Sequence, residues 1–205
     1  MTMFRLSCVA AAAALLVACG GSDDSVRGEL IDPPAVVTTL TAAQIDATTA
    51  ASGLQALSGK AKCDVKVVAL NYRTPGAKDG EMSNASGVML VPGGMCSSAA
   101  PLVANARGTE VLKTRTLANP QDGETFLLAA MYAAQGYAVV ATDYLGYAKS
   151  TYAFHPYLHA DSQATTVIDS VRAARNAADA VGAKLSGKVM FTGSVSYTHL
   201  TLPTK

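Results

Sequence analysis

Between residues 136 and 193 the apolar positions fall into three blocks. Residues 137–142 form a short apolar run centred on Val139 and Val140, and residues 189–192 form another, the composition of parallel strands buried on both faces. Between them Val167, Ile168, Val171, Ala174, Ala178 and Val181 recur at helical spacing, which lays one apolar stripe along a helix that Gly182 ends as a C-cap. Strand, helix and strand in this order predict a right-handed crossover, with the two strands parallel and the helix on one face of the sheet. The chain beyond Gly193 then emerges at the carboxyl edge of that sheet, the edge at which open α/β proteins do their chemistry.

Upstream the period shortens. Residues 64–73 and 83–91 are rich in Val, Leu and Tyr and are separated by Pro75, Gly76 and Gly80, which predicts a hairpin. Residues 102–106 are a third strand that runs into Arg107-Gly108-Thr109-Glu110, and residues 126–134 are an amphipathic helix stopped by Gly136. Thr41 and Gln44 stand at capping-box spacing before a short helix, whereas residues 20 to about 40 are small and polar around Pro33-Pro34 and read as a linker. The predicted fold class is α/β, a mostly parallel sheet with an antiparallel meander at its N-terminal side. There is no internal repeat.

Composition narrows the function. The 205 residues are 50% hydrophobic and 15% charged with a net charge of +1, enough for one domain core and without the basic blocks that nucleic acid requires. No cluster of His and carboxylates has metal-ligand spacing and no Gly-rich phosphate loop follows a strand, so neither a metal nor a cofactor is expected. Residues 1–19 are hydrophobic after Arg5 and end in Leu16-Val17-Ala18-Cys19, followed by Gly20-Gly21-Ser22. This is an export signal. The Leu-x-x-Cys ending resembles a bacterial lipoprotein signal, which implies lipidation of Cys19, a membrane held through the lipid anchor, and residence in the cell envelope; the alternative is an ordinary cleaved signal. An exported domain tolerates disulfides, and Cys63 with Cys96 remain once Cys8 and Cys19 are assigned to the leader. A bridge between them closes a loop of about 33 residues and contributes on the order of 3 kcal/mol in the chain-entropy picture. Two buried thiols are the alternative.

The ordered set of elements, the Arg107-Gly108-Thr109 turn, the run Gly136-Tyr137 through Asp143-Tyr144-Leu145-Gly146 and the helix over 162–181 together resemble the α/β-hydrolase fold. They are closest to the exported lipases and esterases of the secretory lipase group. The resemblance covers roughly residues 60–193 and implies a serine hydrolase acting on carboxylic esters. It also implies oxyanion donors at Gly108 and Thr109, where the family often has His-Gly, and a nucleophile elbow of the form Gly-x-Ser-x-Gly beginning at Gly193.

The sequence departs from that pattern at once. Gly193-Ser194-Val195-Ser196-Tyr197 puts both Ser194 and Ser196 off register and lacks the second glycine. Residues 194–205 are β-branched and contain Pro203, unlike a buried helix, and look like a translated adapter or a frameshift. The triad acid and histidine of the fold follow the nucleophile in chain order. His155 and His159 precede it, and their Pro/Tyr-rich setting predicts loop and helix-start packing. Asp143 is expected to organise the Asp143–Gly146 loop through backbone hydrogen bonds, and Arg107 to pair with Glu110 or Asp143 if its role is structural.

The expected organisation is a lipoprotein-type signal at 1–19, a linker and short helix at 20–59, the N-terminal portion of a hydrolase domain at 60–193, truncated before the late strands, and an aberrant tail at 194–205. The expected substrate is a small or lipid ester. Two other readings stay open: a non-catalytic surface lipoprotein that binds through the same scaffold, and a peptidase or acyltransferase with the same triad. Oligomeric state is not encoded in any feature of the sequence.

Overall fold

Alternation along the central strands explains the two-sided core. In a computed structural model of the protein, which describes residues 26–96 and 98–193, strand β5 (Ala138–Thr142) is buried along its whole length. Ala138 and Val140 belong to one apolar cluster, whereas Val139 and Ala141 belong to the other, because successive side chains leave a strand on opposite faces. Each fully buried Val contributes about 1.5–3 kcal/mol. One face is covered by helix α4 (Ala160–Val181) through Val167, Val171, Ala174, Ala178 and Val181, with Ile168 only half-buried at the margin of the stripe. The other face is covered by α1 (Ala42–Ser52) through Ile45, which is followed by the one-turn α2 (Gln55–Ser58), and by α3 (Gly123–Met131) through Leu128 and Ala129.

Among the described residues six strands, numbered in chain order, lie in the order β1-β2-β3-β5-β4-β6. Strands β2 (Asp64–Pro75) and β3 (Met82–Gly93) form the predicted hairpin, paired without interruption from Asp64↔Gly93 to Pro75↔Met82. Strand β4 (Ala100–Ala106) is parallel to both β5 and β6 (Leu185–Gly193), and β3 is antiparallel to β5. These pairings make β2, β4, β5 and β6 run one way and β1 (Ala35–Leu40) and β3 the other. The architecture is that of an α/β-hydrolase sheet with an antiparallel N-terminal meander. The β5–α4–β6 crossover is parallel as expected, with β4 inserted between its two strands.

The linker reading of residues 20 to about 40 needs correction over its second half. Residues 35–40 are strand β1, antiparallel to β2 from Ala35↔Ala69 to Leu40↔Val65, and Gly28, Glu29 and Ile31 continue along the same edge by backbone hydrogen bonds of 2.9 Å to Asn71 and Arg73. Pro33-Pro34 dominated the sequence reading, yet proline is compatible with the entry to an edge strand, and Val36-Val37-Thr38-Thr39 are strand-forming residues.

Local signals act as their chemistry requires. Thr41 and Gln44 make both bonds of the capping box at the start of α1. Gly182 ends α4 in the left-handed conformation and donates to the carbonyls of Ala178 and Asp179. The sulfurs of Cys63 and Cys96 are bonded across Cα atoms 5.5 Å apart, at the amino edge of the parallel strands. Among the described residues no helix is long and apolar enough to cross a membrane. The expectations for residues 1–19, for Cys19 and for the 194–205 tail lie outside the described residues.

Glycine at position 87 is dictated by the neighbouring strand, since a Cβ there would stand 2.3 Å from the Ala141 carbonyl oxygen. Gly87→Ala is expected to lower the unfolding free energy by about 2–4 kcal/mol, read from urea denaturation. Gly53→Ala, where the backbone is left-handed α and a Cβ meets nothing within 4 Å, should cost only about 1 kcal/mol from its positive φ.

Candidate active site

The turn that leaves β4 is built on a cation with no access to water. Arg107 is fully buried, and a guanidinium in that position is tolerated only when charge and hydrogen bonds surround it. Its Nη2 donates to Glu110 Oε2 at 3.0 Å, its Nη1 lies 3.8 Å from Asp143 Oδ1, and its guanidinium carbon stands 5.9 Å from the centre of the Tyr147 ring. Nε and Nη1 make no hydrogen bond among the described residues, so the attraction to Asp143 is electrostatic. The expected pairing of Arg107 with Glu110 or Asp143 is therefore present with both.

Each carboxylate reaches further. Glu110 Oε1 accepts from the Val111 and Leu112 amides at 2.7 and 2.8 Å, and Oε2 accepts from Arg115 as well as Arg107. The Leu112 amide and Arg115 together hold the Glu110 carboxyl down at about 2. Arg115 forks onto Asp122 at 2.7 and 3.2 Å, and Asp122 caps α3 by accepting from the Glu124 and Thr125 amides. Asp143 accepts from the Leu117 amide at 2.7 Å, Ser86 Oγ at 2.7 Å and Thr116 Oγ1 at 3.0 Å. Burial pushes its carboxyl above the usual range, and these donors with Arg107 pull it back. The expectation that Asp143 organises its own loop is thus corrected. It is a tie to β3 and to the loop after β4, because the donors that meet its buried oxygens come from those segments.

Aromatic side chains complete the frame. Tyr144 has φ +70°, and its hydroxyl donates to the Arg107 carbonyl at 3.4 Å. The Glu110 carbonyl accepts from Tyr147 and, at 2.7 Å, from Tyr157. His155 donates from Nδ1 to the Leu145 carbonyl at 2.9 Å and packs against the rings of Tyr144, Tyr147 and Tyr157; burial lowers its pKa and keeps the ring neutral. His159 is the N-cap of α4, its Nδ1 accepting from the Ser162 amide. Both histidines therefore take the packing roles read from the sequence.

The sheet register sets the turn against the end of β6. Ala106 is paired with Gly193 and Asn105 with Thr192, so β4 and β6 end level at the same edge, with Gly108-Thr109 following directly on β4. The Gly108 N–H makes no hydrogen bond among the described residues. Ser194 and Ser196 lie outside the described residues. Among the described residues no group of three His, Cys, Asp or Glu side chains could hold a metal ion. Close by, a recess of about 370 Å³ is lined by Leu70, Ser86, Gly87, Thr116, Ala118 and Lys149. Arg115 and the three tyrosines escaped the sequence reading. Only their crowding into the two loops after β4 and β5 hinted at them, and nothing in one dimension shows that both loops converge on Arg107.

Residues 112–198 match the family model described as Secretory lipase. The rice cell wall degrading esterase LipA from Xanthomonas oryzae, in a ligand-bound crystal form, superposes with a TM-score of 0.73 at 40% identity, over 82% of this chain and 42% of that one. A further crystal structure of the same esterase gives 0.72 at 41% identity with the same coverage. A putative hydrolase from Legionella pneumophila shares the fold, with a TM-score of 0.70 at 23% identity over 80% of this chain and 43% of that one. The chain thus spans about two fifths of the length of these solved structures. No curated protein matches it.

Glu110 gives the site a pH signature. Its folded value of about 2 lies below the ordinary 4.5, so between these values the unfolded chain holds a proton that the folded chain does not. The stabilisation is whole above the ordinary value and is lost as pH falls through the folded one. Glu110→Gln should therefore be less stable than the parent near neutral pH, and the gap should close as pH drops from about 5 to about 2, measured by urea unfolding at each pH.

Proposed function

Starting from a chain that is lipase/esterase-like over part of its length, we propose that the protein is an exported carboxylic ester hydrolase of the serine type, anchored to the cell envelope through a lipid on Cys19. The observation that carries this reading is the register of β4 with β6. With Ala106 level with Gly193, the Gly108 N–H, which makes no hydrogen bond among the described residues, lies close in register to the end of β6, and this supports reading it as a donor to an elbow that follows Gly193. Acyl transfer needs that juxtaposition, since the nucleophile attacks the carbonyl carbon while a donor fixed on rigid backbone receives the charge that develops on the oxygen. Gly108 serves through its N–H and Thr109 through its own, so the replacement of the family's usual His by Arg107 leaves the donors intact. Arg107 instead supplies the charge around which the turn is fastened.

In the reaction so read, a serine attacks the ester and passes its proton to a histidine, the alcohol leaves with that proton, and water releases the acid from the acyl-enzyme. The residues that follow Gly193 here do not supply that serine. On this reading the sequence written after Gly193 lacks the elbow motif, and the 205-residue chain is expected to be inactive. The ester substrate class comes from the secretory-lipase match and from the esterase LipA. Export fits the same family and the bonded Cys63 and Cys96.

Genomic sequencing past codon 193 should show Gly-x-Ser-x-Gly followed by an Asp and a His, and the protein expressed from that frame should hydrolyse short nitrophenyl esters and take up a serine-directed phosphonate. In that protein Gly108→Pro, which deletes the N–H, should lower kcat by about 10²–10³-fold. A frame that stops after codon 205, with neither hydrolysis nor labelling of the purified product, would overturn the reading in favour of a binding lipoprotein on this scaffold.

A further inference from the structure

Tyr144 occupies a conformation that a bulky side chain rarely adopts. Its φ is +70°, in the region ordinarily left to Gly, Asn and Asp, and it is nonetheless buried. The kink begins as soon as β5 ends: the Asp143 amide still donates to the Ser86 carbonyl at 2.7 Å, whereas the Tyr144 amide turns back onto Thr142 Oγ1 at 3.0 Å. The effect of the kink is to send the phenol under the neighbouring turn, where its hydroxyl has one partner among the described residues, the carbonyl of Arg107.

That carbonyl shares a planar unit with the Gly108 N–H. The described peptide bonds are all trans, so the carbonyl oxygen and the amide hydrogen of this unit point in opposite directions, and a bond that fixes one fixes the other. A peptide that precedes glycine is the one most easily flipped, because glycine accepts either sign of φ. The rest of the turn is already held. Arg107 grips the Glu110 carboxylate, and Tyr147 and Tyr157 grip the Glu110 carbonyl. The unit between Arg107 and Gly108 is left to Tyr144.

We propose that Tyr144 is a positioning residue whose hydroxyl, bonded to the Arg107 carbonyl, keeps the Gly108 N–H aimed at the space beside Gly193. The value of that aim rests on reading Gly108 as an oxyanion donor. Burial raises the pKa of the phenol, so it remains a donor throughout the working range of pH.

The full chain can be tested by solution NMR in a weakly aligning medium, with the one-bond N–H residual dipolar coupling of Gly108 as the readout. Tyr144→Phe should change that coupling while the couplings of β4 and β5 stay as they are, and Tyr152→Phe, which removes a hydroxyl bonded to Glu81 instead, should leave Gly108 alone. An unaltered Gly108 coupling in Tyr144→Phe overturns the proposal. Should that variant fail to fold, 3-fluorotyrosine at position 144, a stronger donor, should shift the Arg107 carbonyl carbon resonance, and an unmoved resonance overturns the proposal equally. In the protein expressed from the complete frame, Tyr144→Phe should lower kcat roughly tenfold with KM unchanged. A reoriented N–H with unchanged kcat would instead count against Gly108 as the oxyanion donor, so the two failures remain distinct.

Discussion

Burying Arg107 commits the whole carboxyl edge. A guanidinium without solvent must find its counter-charges within a few ångströms, and here they come from Glu110 on its own turn and from Asp143 at the end of β5. Those carboxylates in turn need more donors than one arginine provides. They recruit the Val111, Leu112 and Leu117 amides, the hydroxyls of Ser86 and Thr116, and Arg115. Arg115 carries the chain of contacts to Asp122 and so to the first turn of α3. The loops after β4 and β5 and the adjoining stretch of β3 are tied together around one buried charge.

Much of this scaffold is legible in the sequence because each element obeys one local rule. Val139 and Val140 mark a strand buried on both faces, Thr41 and Gln44 a helix start, and Gly182 a helix end; the structure places all of them where those rules put them. Strand β1 was obscured because its defining contacts are with β2, nearly thirty positions away, while its local composition is dominated by Pro33-Pro34. A paired edge strand is a tertiary fact, and propensity alone does not reveal it.

The site is legible to a lesser degree, for a related reason. Arg107, Gly108 and Asp143 can be picked out by their positions at strand ends, and Arg107 pairs as its charge requires. The donors to Asp143 could not be foreseen, because Ser86, Thr116 and Leu117 meet it only once β3 and the loop after β4 are in place. The three tyrosines are also read most simply as apolar filling. Their hydroxyls prove to grip the Arg107 and Glu110 carbonyls, and for Tyr144 that use goes with its positive φ.

The cross-link between Cys63 and Cys96 ties the two ends of the β2–β3 hairpin, and both cysteines precede β4, β5 and β6 in the chain. A chain delivered from its N-terminus can therefore zip and oxidise this hairpin while β4, β5 and β6 have yet to emerge. The template on which β5 must dock, through Gly87, Val88, Met89 and Leu90 of β3, is then present before its partner arrives. Long-range pairing is slow when two flexible segments must find each other, and fast when one is already in place. The bridge lies at the edge of the sheet opposite the Arg107 turn, and it joins the ends of the one hairpin on which β5 docks.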